Sequence, residues 1–183
     1  MRTRSLSLFL LTLVLAAGFA KPAWAQPLNS AAAPAALAAV KAETISVTIT
    51  LGGPVNFNPL TGTITTGSLT PAWTTTWVLK PTRTAVQVCA FLSGALTGTG
   101  GNIDTIPAAN VKGQPGGVGP FTALTGAACG QTNALSISTT TITGANKNSS
   151  KSDSVVLEVD ETALTLSADT YSGTLNIIAQ ATP

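Results

Sequence analysis

Not one histidine occurs in the 183 residues, which removes the commonest general base, the Ser-His-Asp and Cys-His arrangements, and histidine metal ligation. What remains for chemistry is a few carboxylates, two cysteines and an aromatic pair. Glu158, Asp160, Glu161 and Asp169 gather near the C-terminal end, and two carboxylates at a suitable separation can hydrolyse a glycoside. The same groups could offer oxygens to Ca²⁺, but no D-x-D-x-D-G loop accompanies them. Nothing nearby marks a cleft, so they read as a solvated strand face and turn residues. The expectation is no catalytic residue, no metal and no cofactor, hence no enzyme.

Trp73 and Trp77 stand on one parity of a strand, about 13 Å apart at the usual rise. Exposed, the two indoles could stack on a sugar chain and form a carbohydrate-binding module. Buried, they fill a core, the commoner fate of large aromatics. Cys89 and Cys129 lie 40 residues apart. In an exported chain they read as a disulfide, worth about 4 kcal/mol by the chain-entropy argument; without histidine they make a poor zinc site. The glycine-rich GTGG (98–101) and GQPGGVG (113–119) lack the Lys-Ser/Thr of a phosphate loop and read as flexible connections. Asn148-Ser149-Ser150 is a formal glycosylation sequon.

The positioning elements belong outside the cytoplasm. Arg2 and Arg4 precede an apolar run from Leu6 to Ala20, and Ala23-Trp24-Ala25 follows as a small-residue cleavage site. Residues 1–25 are therefore expected to be a secretory signal peptide, with the mature chain starting at Gln26 and secreted or held at the cell surface. No later segment is apolar and long enough for a membrane helix. Arg2, Arg4 and Lys21 leave with the signal, so six of the nine Lys/Arg remain against seven Asp/Glu, a net charge of about −1. That leaves no electrostatic means of holding a phosphate backbone, and nucleic acid is not an expected partner.

Thirty threonines, β-branched and polar, favour solvated strand faces over helix. Residues 26–42, rich in alanine and broken by Pro27 and Pro34, read as a flexible leader. Residues 43–183 are expected to form one all-β domain, an antiparallel sandwich of Ig-like type with about seven to nine strands. The clearest strand is Glu43 to Leu51, where Ile45, Val47, Ile49 and Leu51 alternate with Thr44, Ser46, Thr48 and Thr50. A short strand follows within 62–66. Leu69 to Lys80 and Thr82 to Ser93, joined at Pro81, read as a central hairpin. From 94 to 133 the pattern dissolves into a long loop that is either functional or hides short strands, with Ile103, Ile106 and Val111 as an edge candidate and Phe121 and Leu124 as anchors. Strands at 134–143 and 154–160 flank a hydrophilic turn over 144–153. In the second of these, Val155, Leu157 and Val159 oppose Val156, Glu158 and Asp160. Leu164 to Ala181 closes the chain with small or apolar residues at every second position from Tyr171.

The closing DTYSGTLNIIAQA resembles the last strand of secreted bacterial subunits of the spore coat protein U and fimbrial type, over Leu166 to Ala181, where a G/D-T-Y-x-x-T-L pattern precedes alternating apolar residues. Tyr171, after an acidic turn residue, also resembles the tyrosine corner of Ig-like domains. The resemblance implies an incomplete sandwich completed by a neighbour's strand, with Glu43 to Leu51 as the segment for self-association or strand exchange; alternatively that segment is the first strand of its own sandwich. The expected role is structural or adhesive at the cell surface, a fimbrial or coat-like subunit, with a carbohydrate-binding module through Trp73 and Trp77 as the alternative.

Overall fold

Alternation of β-branched apolar residues with hydroxyl residues sets the architecture, and the computed structural model describes residues 41–57 and 62–183. The expected signal peptide, and the expected leader apart from its last two residues, lie outside the described residues. Those described fall in one compact unit, Val40–Pro183. In chain order the strands are β1 (Thr44–Leu51), β2 (Ile64–Thr66), β3 (Ala72–Val78), β4 (Ala85–Leu92), β5 (Leu96–Gly98), β6 (Thr105–Ile106), β7 (Val111–Pro115), β8 (Thr122–Ala123), β9 (Gly126–Ala128), β10 (Gln131–Thr141), β11 (Asn148–Asp160), β12 (Tyr171–Ser172) and β13 (Leu175–Thr182). The fold is all-β, as expected, but the described residues hold thirteen strands where seven to nine were anticipated. Seven of them have five residues or more; the other six are two- or three-residue pieces.

One sheet runs β1-β3-β11-β7-β8, with β2 also on β11; a second runs β13-β4-β10-β9; a small third is β12-β5-β6. β11 is long enough to serve two neighbourhoods: Asn148–Ser154 pairs with β3, and Val155–Val159 pairs with β7. Trp73, Trp77 and Val155 from the first sheet meet Val86, Val88 and Leu135 from the second in a single core. Close packing extends to the backbone of β7, where a Cβ on Gly113 would stand 2.6 Å from a Leu135 methyl and 3.0 Å from one of Val155.

Two expectations change and one open alternative is resolved. The central hairpin does not form: β3 pairs with β1 and β11, β4 with β10 and β13, and the connection between them crosses from one sheet to the other. Both strands carry a row of large apolar residues, which stacking face to face buries and edge pairing would not. The stretch 94–133 hides five short strands, and Ile106, Val111 and Leu124 sit at 1, 2 and 0 % exposure, whereas Ile103 lies almost fully in solvent. The hydrophilic turn ends early, because Asn148–Asp153 continues the ladder with β3 despite its polarity; Ser152 Oγ and Thr74 Oγ1 share a hydrogen bond of 2.9 Å across the two strands.

Candidate functional site

The residues singled out for chemistry scatter. Trp73 and Trp77 are 0 and 2 % exposed; the Trp77 indole N–H donates to the Asn146 carbonyl at 2.8 Å. With both indoles in the core, neither offers a face to a sugar chain, and the carbohydrate-binding alternative loses its contact surface. Cys89, in β4, and Cys129, at the turn before β10, form a disulfide with Cα atoms 6.1 Å apart.

The carboxylates meet three different fates. Glu158 and Asp160 lie on the outer side of β11 beneath Lys112, whose Nζ stands 3.8 Å from Glu158 and 2.7 Å from Asp160. The hydrogen bond from Lys112, helped by the hydroxyl and amide of Thr162, lowers the Asp160 pKa to about 2. Asp169 accepts from the Gly100 amide at 2.8 Å and from the Asn102 side chain at 2.7 Å. The anion that the GTGG segment cradles is thus the chain's own, and these glycines are needed because a Cβ at Gly98 or Gly100 would lie 2.6–2.7 Å from these polar side-chain oxygens. Glu161 turns inward, 4 % exposed. The expectation of solvated carboxylates fails for Glu158, at 8 % exposure, and for Glu161. The signal missed was the parity of β11: Val155, Leu157 and Val159 point inward, and Glu161 is the next position in that series.

What the fold does assemble is an open margin. In β1 the apolar parity faces the core, with Ile45 opposite Trp77 and Ile49 opposite Trp73. Burial fades along the strand. Ile45 and Val47 are half-buried, but Ile49 and Leu51 are 52 and 48 % exposed. Across the sandwich β13 is half-buried throughout, with Ile177 opposite Ala90 of β4. Among the described residues β1 has β3 as its one ladder partner and β13 has β4, and the two edge strands lie near each other on the same side of the molecule. Between them opens a cleft of about 550 Å³, lined by Ile49, Val55, Leu92, Tyr171, Leu175 and Ile177. Unpaired strand edges beside an apolar trough can take up an additional strand, the backbone supplying affinity and the trough seating alternate side chains.

The opposite end of β1 is held. Glu43 accepts from the Lys80 amide at 2.8 Å and from the Arg83 guanidinium at 3.2 Å through both oxygens. The Arg83 bonds hold the Glu43 carboxyl below its usual pKa. Tyr171 marks the other wall of the cleft, its hydroxyl donating to the Ser167 carbonyl at 2.8 Å. Among the described residues no helix is long and apolar enough to cross a membrane, and no three His, Cys, Asp or Glu side chains gather as a metal centre. Neither a protein-family model nor a curated protein matches the chain.

Proposed function

We propose that this chain is an exported, non-catalytic, Ig-like sandwich with a structural or adhesive role at the cell surface, and that it associates through the β1–β13 margin as a fimbrial or coat-like subunit. The observation that carries this reading is the exposure of Ile49, on an apolar cleft, and of Leu51 beside it, between two eight-residue strands that each have one ladder partner among the described residues. An edge of that length without proline or inward charge can template another strand, and the register shift of β1 against β3 falls only at its far end, between Ile49 and Leu51. The backward hydrogen bond of Tyr171 supports an Ig-like corner, and the disulfide supports an oxidising compartment.

Within this reading β1 stays in its own sandwich, clamped by Glu43, and accepts a partner's strand at its outer half. A chain lacking residues 26–51 and the mass of the intact chain test it, the expected outcome being collapse of the first and a mass that rises with concentration for the second. Soluble protein that takes up a synthetic 43–51 peptide would show that the strand can be exchanged between copies. Collapse that peptide does not rescue, together with a constant mass for the intact chain across a wide concentration range in analytical ultracentrifugation, would reject assembly through this margin.

A further inference from the structure

A second cleft, of about 810 Å³, adjoins the first and shares Val55, Phe57, Leu96 and Tyr171 with it. Its walls include Phe57, Leu96, Ile106, Leu164 and Tyr171, and Glu161 reaches its floor. Glu161 is fixed at both ends. Its amide donates to the Thr63 carbonyl at 3.2 Å, its carbonyl accepts from the Leu164 amide at 2.8 Å, and its Oε2 accepts from the Gly62 amide at 3.0 Å. Its Oε1, fully buried, has no partner among the described residues. A buried carboxylate oxygen left without a donor is costly, more so than a neutral group. The nearby cation does not serve it, because Lys112 is committed to Asp160 and Glu158.

We infer that this cleft binds a ligand through a primary ammonium group seated on Glu161 Oε1, with the apolar body of the ligand against Phe57, Leu164 and Tyr171. The inference does not require association through the other margin, although Phe57, Leu96 and Tyr171 line both clefts. The chemistry of the head group follows from what is already occupied. A guanidinium prefers both carboxylate oxygens at once, and Oε2 is taken by Gly62, so a compact donor fits better than a planar fork. Ca²⁺ takes six to eight oxygens, but the neighbouring carboxylates are spent: Asp169 on Gly100 and Asn102, Asp104 on the Ser167 amide at 2.8 Å. The aromatic rings of Phe57 and Tyr171 suit a cation carried on a hydrocarbon stem.

The test is an amide-resolved NMR titration of the full chain, purified from an exporting host, with phenethylammonium, with its neutral counterpart phenethyl alcohol, with Nα-acetyl-lysine methylamide and with CaCl₂. Saturable shifts confined to Gly62 and residues 161–171 are expected with the amine, about tenfold or more weaker with the alcohol, since a charged hydrogen bond is lost. Stronger binding of the lysine derivative than of the free amine would identify a side chain as the source of the ammonium, and the reverse a small molecule. In Glu161→Gln the preference for amine over alcohol should vanish while the rest of the spectrum stays folded. Should that variant unfold, the amine-to-alcohol ratio on the native chain decides alone. Equal binding of amine and alcohol, no saturable shift with either amine, or tighter binding of Ca²⁺ at the same amides would each overturn the inference.

Discussion

The two long margins of the sandwich are built in opposite ways. At one, β8 and β9 are two and three residues long, and the short turn joining them carries the chain from the first sheet to the second, so that margin is closed by covalent connection. Leu124, inside that turn, is fully buried, and the Cys89–Cys129 disulfide ties its far side to the central strand β4. At the other margin β1 and β13 each run eight residues with one edge unpaired among the described residues, and the apolar parity of β1 emerges into solvent towards Leu51. Short edge strands and covered ends are how sheets avoid pairing with other chains, and long flat edges are how they invite it. The contrast teaches that exposure at β1 is local, since the same molecule finishes its opposite side thoroughly.

Breaking the closed margin should have the largest effect. Replacing both Cys89 and Cys129 by alanine is expected to cost about 4 kcal/mol, seen as a lower urea midpoint with a steeper slope as the uncrosslinked unfolded chain expands; a loss below about 1 kcal/mol would mean the short strands close that side without help. Charging the open margin should do far less to stability. Ile49→Lys with Leu51→Lys is expected to shift unfolding by about 1 kcal/mol or less, because both side chains are about half in water already, while abolishing concentration-dependent mass in ultracentrifugation. If stability instead fell as far as in the cysteine variant, the outer half of β1 would belong to the core and the contrast would dissolve.

The smallest effect sharpens the comparison by pH, because each margin has its own depressed carboxylate. Arg83 lowers Glu43 at the start of β1, and Lys112 lowers Asp160 to about 2 near β7. A lowered folded-state pKa stabilises above the unfolded value of about 4 and is lost as the pH falls through the folded value. Stability should therefore drop between about pH 4 and pH 2. Asp160→Asn should flatten that acid limb, whereas Glu43→Gln should chiefly speed amide hydrogen exchange in β1. Faster exchange spread evenly over both margins in Glu43→Gln would show that the clamp supports the whole fold rather than one strand.

Strand existence and facing were legible wherever alternation was strict, in β1, the second half of β11 and β13, because a period of two is a local property of the sequence. Partner choice was not. The Leu69–Ser93 segment read as a hairpin because its strands are adjacent in sequence, but face-to-face burial of Trp73 and Trp77 against Val86 and Val88 prevailed, and that depends on residues far along the chain. Short strands such as β5 and β8 carry too few residues for any period to show. The buried position of Glu161 was written in the parity of β11, but charge argued for solvent. Asp169 hid for a different reason, since glycine-rich loops look the same whether they wave in water or close on an anion.

One small region does more than its sequence announces. The Lys80 amide and Arg83 hold Glu43, and the Thr84 amide donates to the Thr182 carbonyl at 3.1 Å, so the first and last strands both dock on the same short connection. The described path is nearly circular. A brief splice across that pole, with fresh ends opened among the exposed glycines at 116–119, would leave every ladder paired as it is now. The order in which the strands are threaded is therefore separable, at that one loop, from the way they pair.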